Sequence, residues 1–68
     1  MEKELIKLGS NLRNIRIEKH IIQGDIARSL NVGRGYVSKV ENGKTNPTLS
    51  TIAKLAKAVG VSSNKLLE

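Results

Sequence analysis

Apolar residues recur in this chain at three- and four-residue spacing, and no run of that pattern lasts long before a turn-forming residue interrupts it. Leu5, Leu8, Leu12 and Ile15 are spaced 3, 4 and 3 apart, which is one stripe of a helix expected from about Leu5 to Lys19. Lys3, Lys7, Asn11, Arg13 and Glu18 fall mainly off that stripe, and His20 stands where the helix should stop. Gln23 to Leu30 repeats the spacing with Ile26, Ala27 and Leu30, and Asn31, which tolerates left-handed backbone, is placed to end it. Val32 and Gly33 complete the turn. A third helix, Arg34 to Glu41, puts Val37 and Val40 inward and leaves Arg34, Gly35, Ser38 and Lys39 outward.

Asn42-Gly43 closes that helix, and a polar loop runs from Lys44 to Pro47. Thr48 is the expected N-cap of the clearest helix, whose face is Leu49, Ile52, Leu55, Ala56 and Val59, with Gly60 as its terminator. Ser62 is placed to cap a last short helix carrying Leu66 and Leu67. The expectation is an all-α fold of five short helices in one domain spanning residues 1–68, with no strand. A chain of 68 residues has a modest core, so added support from a partner is expected.

Charge narrows the partners. Twelve Lys and Arg against six Asp and Glu leave a net charge of +6, which favours a polyanion. Tyr36 is the single aromatic, too few for a base-stacking platform, so duplex DNA is favoured over single strands or RNA loops. There is no cysteine, hence no disulfide, thiolate metal site or thiol nucleophile, and this suits a reducing cytoplasm. One histidine and the dispersed acids Glu2, Glu4, Glu18, Asp25, Glu41 and Glu68 supply neither ligand spacing nor a catalytic constellation, so no enzyme, metal or cofactor is expected. No apolar run approaches the roughly 20 residues of a membrane span, and Met1 to Glu4 begin no signal core. A cationic membrane-surface helix would need one long unbroken segment, and this chain breaks at Asn31, Gly43 to Pro47, and Gly60.

The joint spacing of the middle segment is more specific than any of these. A helix-turn-helix needs a small residue where the helices cross (Ala27), a residue able to take positive φ four positions on (Asn31), an apolar anchor (Val32) and buried branched residues in the second helix (Val37, Val40). The stretch from Gln23 to Lys44, with the later run from Asn46 to Val61, resembles the phage repressor/Cro-type, or Xre-like, helix-turn-helix family. Restriction–modification controller proteins and phage immunity repressors share this build, and the resemblance covers about residues 8 to 67.

The resemblance implies a compact five-helix, lambda-repressor-like domain. Its implied function is that of a transcriptional regulator, repressor or controller, reading a pseudo-palindromic operator through the major groove of double-stranded DNA. It further implies a homodimer in the cytoplasm of a bacterial, archaeal or phage-infected cell. Matched by position, Arg34, Gly35, Ser38 and Lys39 face base edges, with Arg34 suited to pair bidentately with guanine. Gln23, Asn42, Lys44 and Thr45 hold the DNA backbone; Tyr36, one step off the Val37 and Val40 face, is expected to lay its ring on the turn and reach a phosphate or base with its hydroxyl, the alternative being a core residue. Arg16 and Glu41 form an ion pair that locks the reading head, and Val61, Asn64, Leu66 and Leu67 form the dimer interface. A protein-masking module of the antitoxin type, with DNA binding secondary, is the alternative.

Four residues depart from the family pattern. Ile22 stands where a Ser or Thr usually caps the second helix, a loss of about 1 kcal/mol. Gly24 inside that helix costs about another 1 kcal/mol relative to Ala. Gly33 replaces the usual polar cap of the recognition helix, and His20 occupies a position usually held by glycine.

Overall fold

Five α-helices organise residues 2–68, the part of the chain that the computed structural model describes: α1 (Lys3–Glu18), α2 (Gln23–Leu30), α3 (Arg34–Glu41), α4 (Leu49–Ala58) and α5 (Ser63–Leu67). Met1 lies outside the described residues. Among those described there is no strand. The first helix begins two residues before Leu5 and ends one before Lys19, because Lys3 and Glu4 are good helix formers. α2 and α3 have the expected limits.

Four of the helices end in the same way. His20, Asn31, Gly43 and Gly60 take φ of 59°, 57°, 68° and 74°. The residue after each then donates its N–H to a carbonyl five positions back. The pairs are Ile21 to Arg16, Val32 to Ala27, Lys44 to Lys39 and Val61 to Ala56, all at 2.9 Å. This closure satisfies carbonyls that the helix end would otherwise leave open. Glycine and asparagine enter the left-handed region readily, whereas His20 does so at a cost of about 1–2 kcal/mol.

The helix starts are less uniform. Thr48 Oγ1 accepts the Thr51 N–H at 3.1 Å, as its position predicts. Ser62 sits at the N-cap of α5 but makes no such bond. Ile22 has no acceptor to offer, yet the Asp25 carboxylate accepts the Ile22 N–H at 3.3 Å, so one half of a reciprocal cap is kept.

Each helix packs mainly on two others, in the cyclic order α1, α3, α2, α4, α5. Leu8, Leu12, Ile26, Ala27, Val37, Val40, Ile52, Leu55, Ala56, Val59 and Leu66 fill the ring they enclose. α1, about 24 Å long at 1.5 Å per residue, is the longest of the five helices. It also caps two other helices. Asn11 Nδ2 donates to the carbonyls of Leu66 (2.9 Å) and Glu68 (3.1 Å), and Lys19 Nζ to those of Val59 (2.9 Å) and Gly60 (3.3 Å).

Three apolar positions differ from expectation. Leu49 is 78% exposed rather than part of the α4 face, because Thr48, Leu49 and Ser50 at the start of α4 all stand clear of the body and the buried stripe begins at Ile52. Val32 is 37% exposed, a partial anchor, since its backbone closes α2 and leaves the side chain at the margin of the turn. Leu66 is completely buried in the chain's own core while Leu67 is 51% exposed, which removes Leu66 from the predicted dimer surface.

Candidate nucleic-acid interface

α2 and α3 meet across the three residues Asn31, Val32 and Gly33. Ala27 is buried where they cross, and a larger side chain there would hold the helices apart. On α3, Val37 and Val40 are buried to within 1%. Arg34, Gly35 and Lys39 are exposed and Ser38 is half-buried, so the four share the outer face through spacings of three and four. Tyr36 is half-buried and packs against the core cluster, because one step off the Val37 stripe still brings a side chain of this size onto the core's edge.

The end of α3 is tied down by a buried carboxylate. Glu41 Oε2 accepts from Arg16 Nε at 2.6 Å, and Oε1 accepts from Arg16 Nη2 at 3.1 Å and from Gln23 Nε2 at 2.9 Å. Arg16 Nη1 donates to the Ile21 carbonyl at 3.0 Å. The side chains are 14% and 3% exposed, so the pair is fork-to-fork and largely desolvated. Such a pair adds little net stability over an apolar substitute, but breaking it leaves a buried charge unmatched. Its physical effect is to fix three elements at one point: α1 through Arg16, the start of α2 through Gln23, and the end of α3 through Glu41.

Gly9, not singled out by its sequence position, makes that docking possible. A Cβ on Gly9 would lie 2.5 Å from the Glu41 carbonyl oxygen, 2.8 Å from its carbon, and closer still to the Val40 oxygen. α1 therefore crosses the C-terminus of α3 backbone to backbone. The one available signal is a glycine between Leu8 and Leu12 inside a helical stripe, where glycine costs about 1 kcal/mol without a packing reason. Asn11 and Lys19 give no comparable signal.

The remaining candidates lie at the start of α2, in the loop after α3 and at α5. Gln23 directs its amide at Glu41, so that group is engaged inside the protein. Asn42 Nδ2 folds back onto the Ser38 carbonyl at 2.9 Å and its Oγ at 3.4 Å. Lys44 is exposed and Thr45 half-buried in the loop after α3. Val61 is half-buried, and Asn64 and Leu67 are exposed at α5 and its approach. Three ion pairs occur among the described residues: Arg16 with Glu41, Arg28 with Asp25, and Lys65 with Glu68. None takes up Arg34, Lys39 or Lys44, so the outer face of α3 and the loop after it carry unneutralised positive charge. No group of metal-ligating side chains, and no helix long and apolar enough to cross a membrane, occurs among the described residues.

Two short helices crossing at a small residue, joined by a left-handed turn and presenting one polar, basic face, define a helix-turn-helix. The chain belongs to the helix-turn-helix family, whose model matches residues 12–66. It is 35% identical over 60 residues to the ImmF control region 10 kDa protein of Bacillus phage phi105, covering 88% of this chain and 67% of that one. It spans about half the length of several other curated relatives it matches. Its fold is similar to that of the restriction–modification controller protein C.AhdI from Aeromonas hydrophila, with TM-score 0.89 and 35% identity over 96% of this chain and 98% of that one. The controller protein C.Esp1396I, solved as a tetramer in complex with its natural 35 base-pair operator, matches at TM-score 0.84 and 26% identity over the full length of both chains.

Proposed function

We propose that this chain is a sequence-specific, double-stranded DNA-binding transcriptional regulator of the repressor or controller type, working in the cytoplasm and not as an enzyme. α3 enters the major groove. Arg34 pairs with a guanine edge, Ser38 and Lys39 read or flank neighbouring positions, and Gly35 lets the helix backbone approach closely. Lys44, Thr45, Asn42 and the first amides of α2 at Gln23 hold phosphates and set the register. The reading rests on one observation: α3 exposes Arg34, Gly35 and Lys39 on one face, free of acidic partners, while Val37, Val40 and Glu41 clamp its other face to the body.

A second copy completes the reader. The dimer forms through Val61, Asn64 and Leu67, with Leu66 supporting them from within the core. Two α3 helices then lie about 34 Å apart on a pseudo-palindrome. The decisive experiment is selection of bound sites from random duplexes. A recurrent inverted repeat with half-sites one helical turn apart is the expected result. Recovery of unrelated sequences, or binding to anionic vesicles in place of duplex, overturns the proposal.

A further inference from the structure

Gly24 is a buried residue with no side chain of its own. It lies in the first turn of α2 beneath three neighbouring side chains. A Cβ built on it would stand 3.4 Å from Arg34 Cδ, 3.4 Å from Arg28 Nη1 and 3.7 Å from Ile22 Cδ1. The stem of Arg34, the first residue of α3, therefore lies over the start of α2, facing the position a Gly24 side chain would take. Arg28 lines one side of this slot and pairs with Asp25 at the surface. Asp25 in turn accepts the Ile22 N–H, and the Ile22 side chain lines the other side.

A free arginine samples many rotamers and gives up that freedom when it binds a base. Holding the stem beforehand reduces the loss and fixes where the planar guanidinium is offered. We propose that Gly24 is a specificity-determining position: the absence of any side chain beyond a Cβ there leaves the slot that aims Arg34 at its base pair. This rests on the reading of α3 as the base-reading helix.

The test compares the intact chain with Gly24→Ala, Gly24→Val, Gly24→Leu, Arg34→Ala and Gly24→Val/Arg34→Ala. Bound-site selection and fluorescence anisotropy on the selected duplex and its single-base variants are run alongside thermal melts. A Cβ alone is in ordinary contact distance, so Gly24→Ala should melt higher and keep its base preference within about two-fold. Valine is stiff at χ1 and cannot swing clear. Gly24→Val should lose about ten-fold in preference at the base pairs that Arg34→Ala also relaxes, and should cause no further loss once Arg34 is absent. Gly24→Leu, a stronger helix former, repeats the measurement if the valine variant melts too low.

Folded Val and Leu variants that retain the original preference overturn the proposal. So does a loss equal on all sequences, or one equal with and without Arg34. Failure of both variants to fold overturns it too, because the glycine would then serve the fold and not the arginine. Full selectivity in Arg34→Ala defeats the assignment of Arg34 as reader along with the slot, and absence of any duplex binding by the intact chain defeats the DNA reading itself.

Discussion

Replacing Gly9 with alanine should destabilise this protein, although the same change inside an exposed helix normally stabilises it. The helix-propensity gain is about 1 kcal/mol. Against it stands the new methyl group, 2.5 Å from the Glu41 carbonyl oxygen and nearer still to that of Val40. Both obstacles are backbone atoms at the end of α3, so no side chain can rotate away. Relief requires α1 and α3 to separate by roughly half an ångström or more, and with two backbone carbonyls met at once the overpacking falls in the upper part of the usual range, about 2–3 kcal/mol. Separation also stretches the Arg16–Glu41 pair, whose shorter bond is 2.6 Å in a nearly closed site. The propensity gain therefore offsets only part of the penalty, leaving a net loss of about 1–2 kcal/mol. For a domain of this size that is a fall of about 4–16 °C in Tm, measured by far-UV circular dichroism. Gly35→Ala is the matched control, since nothing lies within 4 Å of its would-be Cβ, and it should raise Tm. A Gly9→Ala variant as stable as the parent, with Gly35→Ala behaving as stated, would refute the backbone-to-backbone crossing.

His20→Gly should stabilise the fold by about 1 kcal/mol by removing a left-handed histidine, read as a higher melting midpoint; an unchanged midpoint contradicts the strain. Arg34→Ala should weaken binding to the preferred site by about 1–3 kcal/mol and relax selectivity there, checked by anisotropy on single-base variants. Lys44→Ala should weaken all sequences alike and flatten the slope of log K against log salt by about one unit, and a loss confined to some sequences would count against a phosphate role. Leu66→Ala should cost about 2–5 kcal/mol of stability as a cavity in the core, whereas Leu67→Ser should leave the monomer's melting nearly unchanged and raise the dimer dissociation constant in sedimentation equilibrium. Equal effects of the two on stability would contradict their different burial.

The local part of this protein was legible in its residues. The limits of α2 and α3, the left-handed ends at Asn31 and Gly60, the Thr48 cap and the division of α3 into buried Val37 and Val40 against outward Arg34 and Lys39 all follow from rules acting within about five residues, such as side-chain period and backbone preference. Composition added a net charge of +6, which favours a polyanionic partner. What the residues did not disclose depends on which other helix arrives. The Glu41 carboxylate is closed by Arg16 from 25 positions away, the ends of α4 and α5 by Lys19 and Asn11 from 40 and 55 positions away, and the purpose of Gly9 lies in carbonyls on another helix. Leu66 and Leu67 are chemically identical neighbours, and only the direction from which α1 and α4 pack on α5 sends one to the core and the other to the surface. Periodicity fixes the angle of each side chain about its own helix axis. The positions of the axes relative to one another are set by packing, and that packing decides which residues close the interface and which are left to meet a partner.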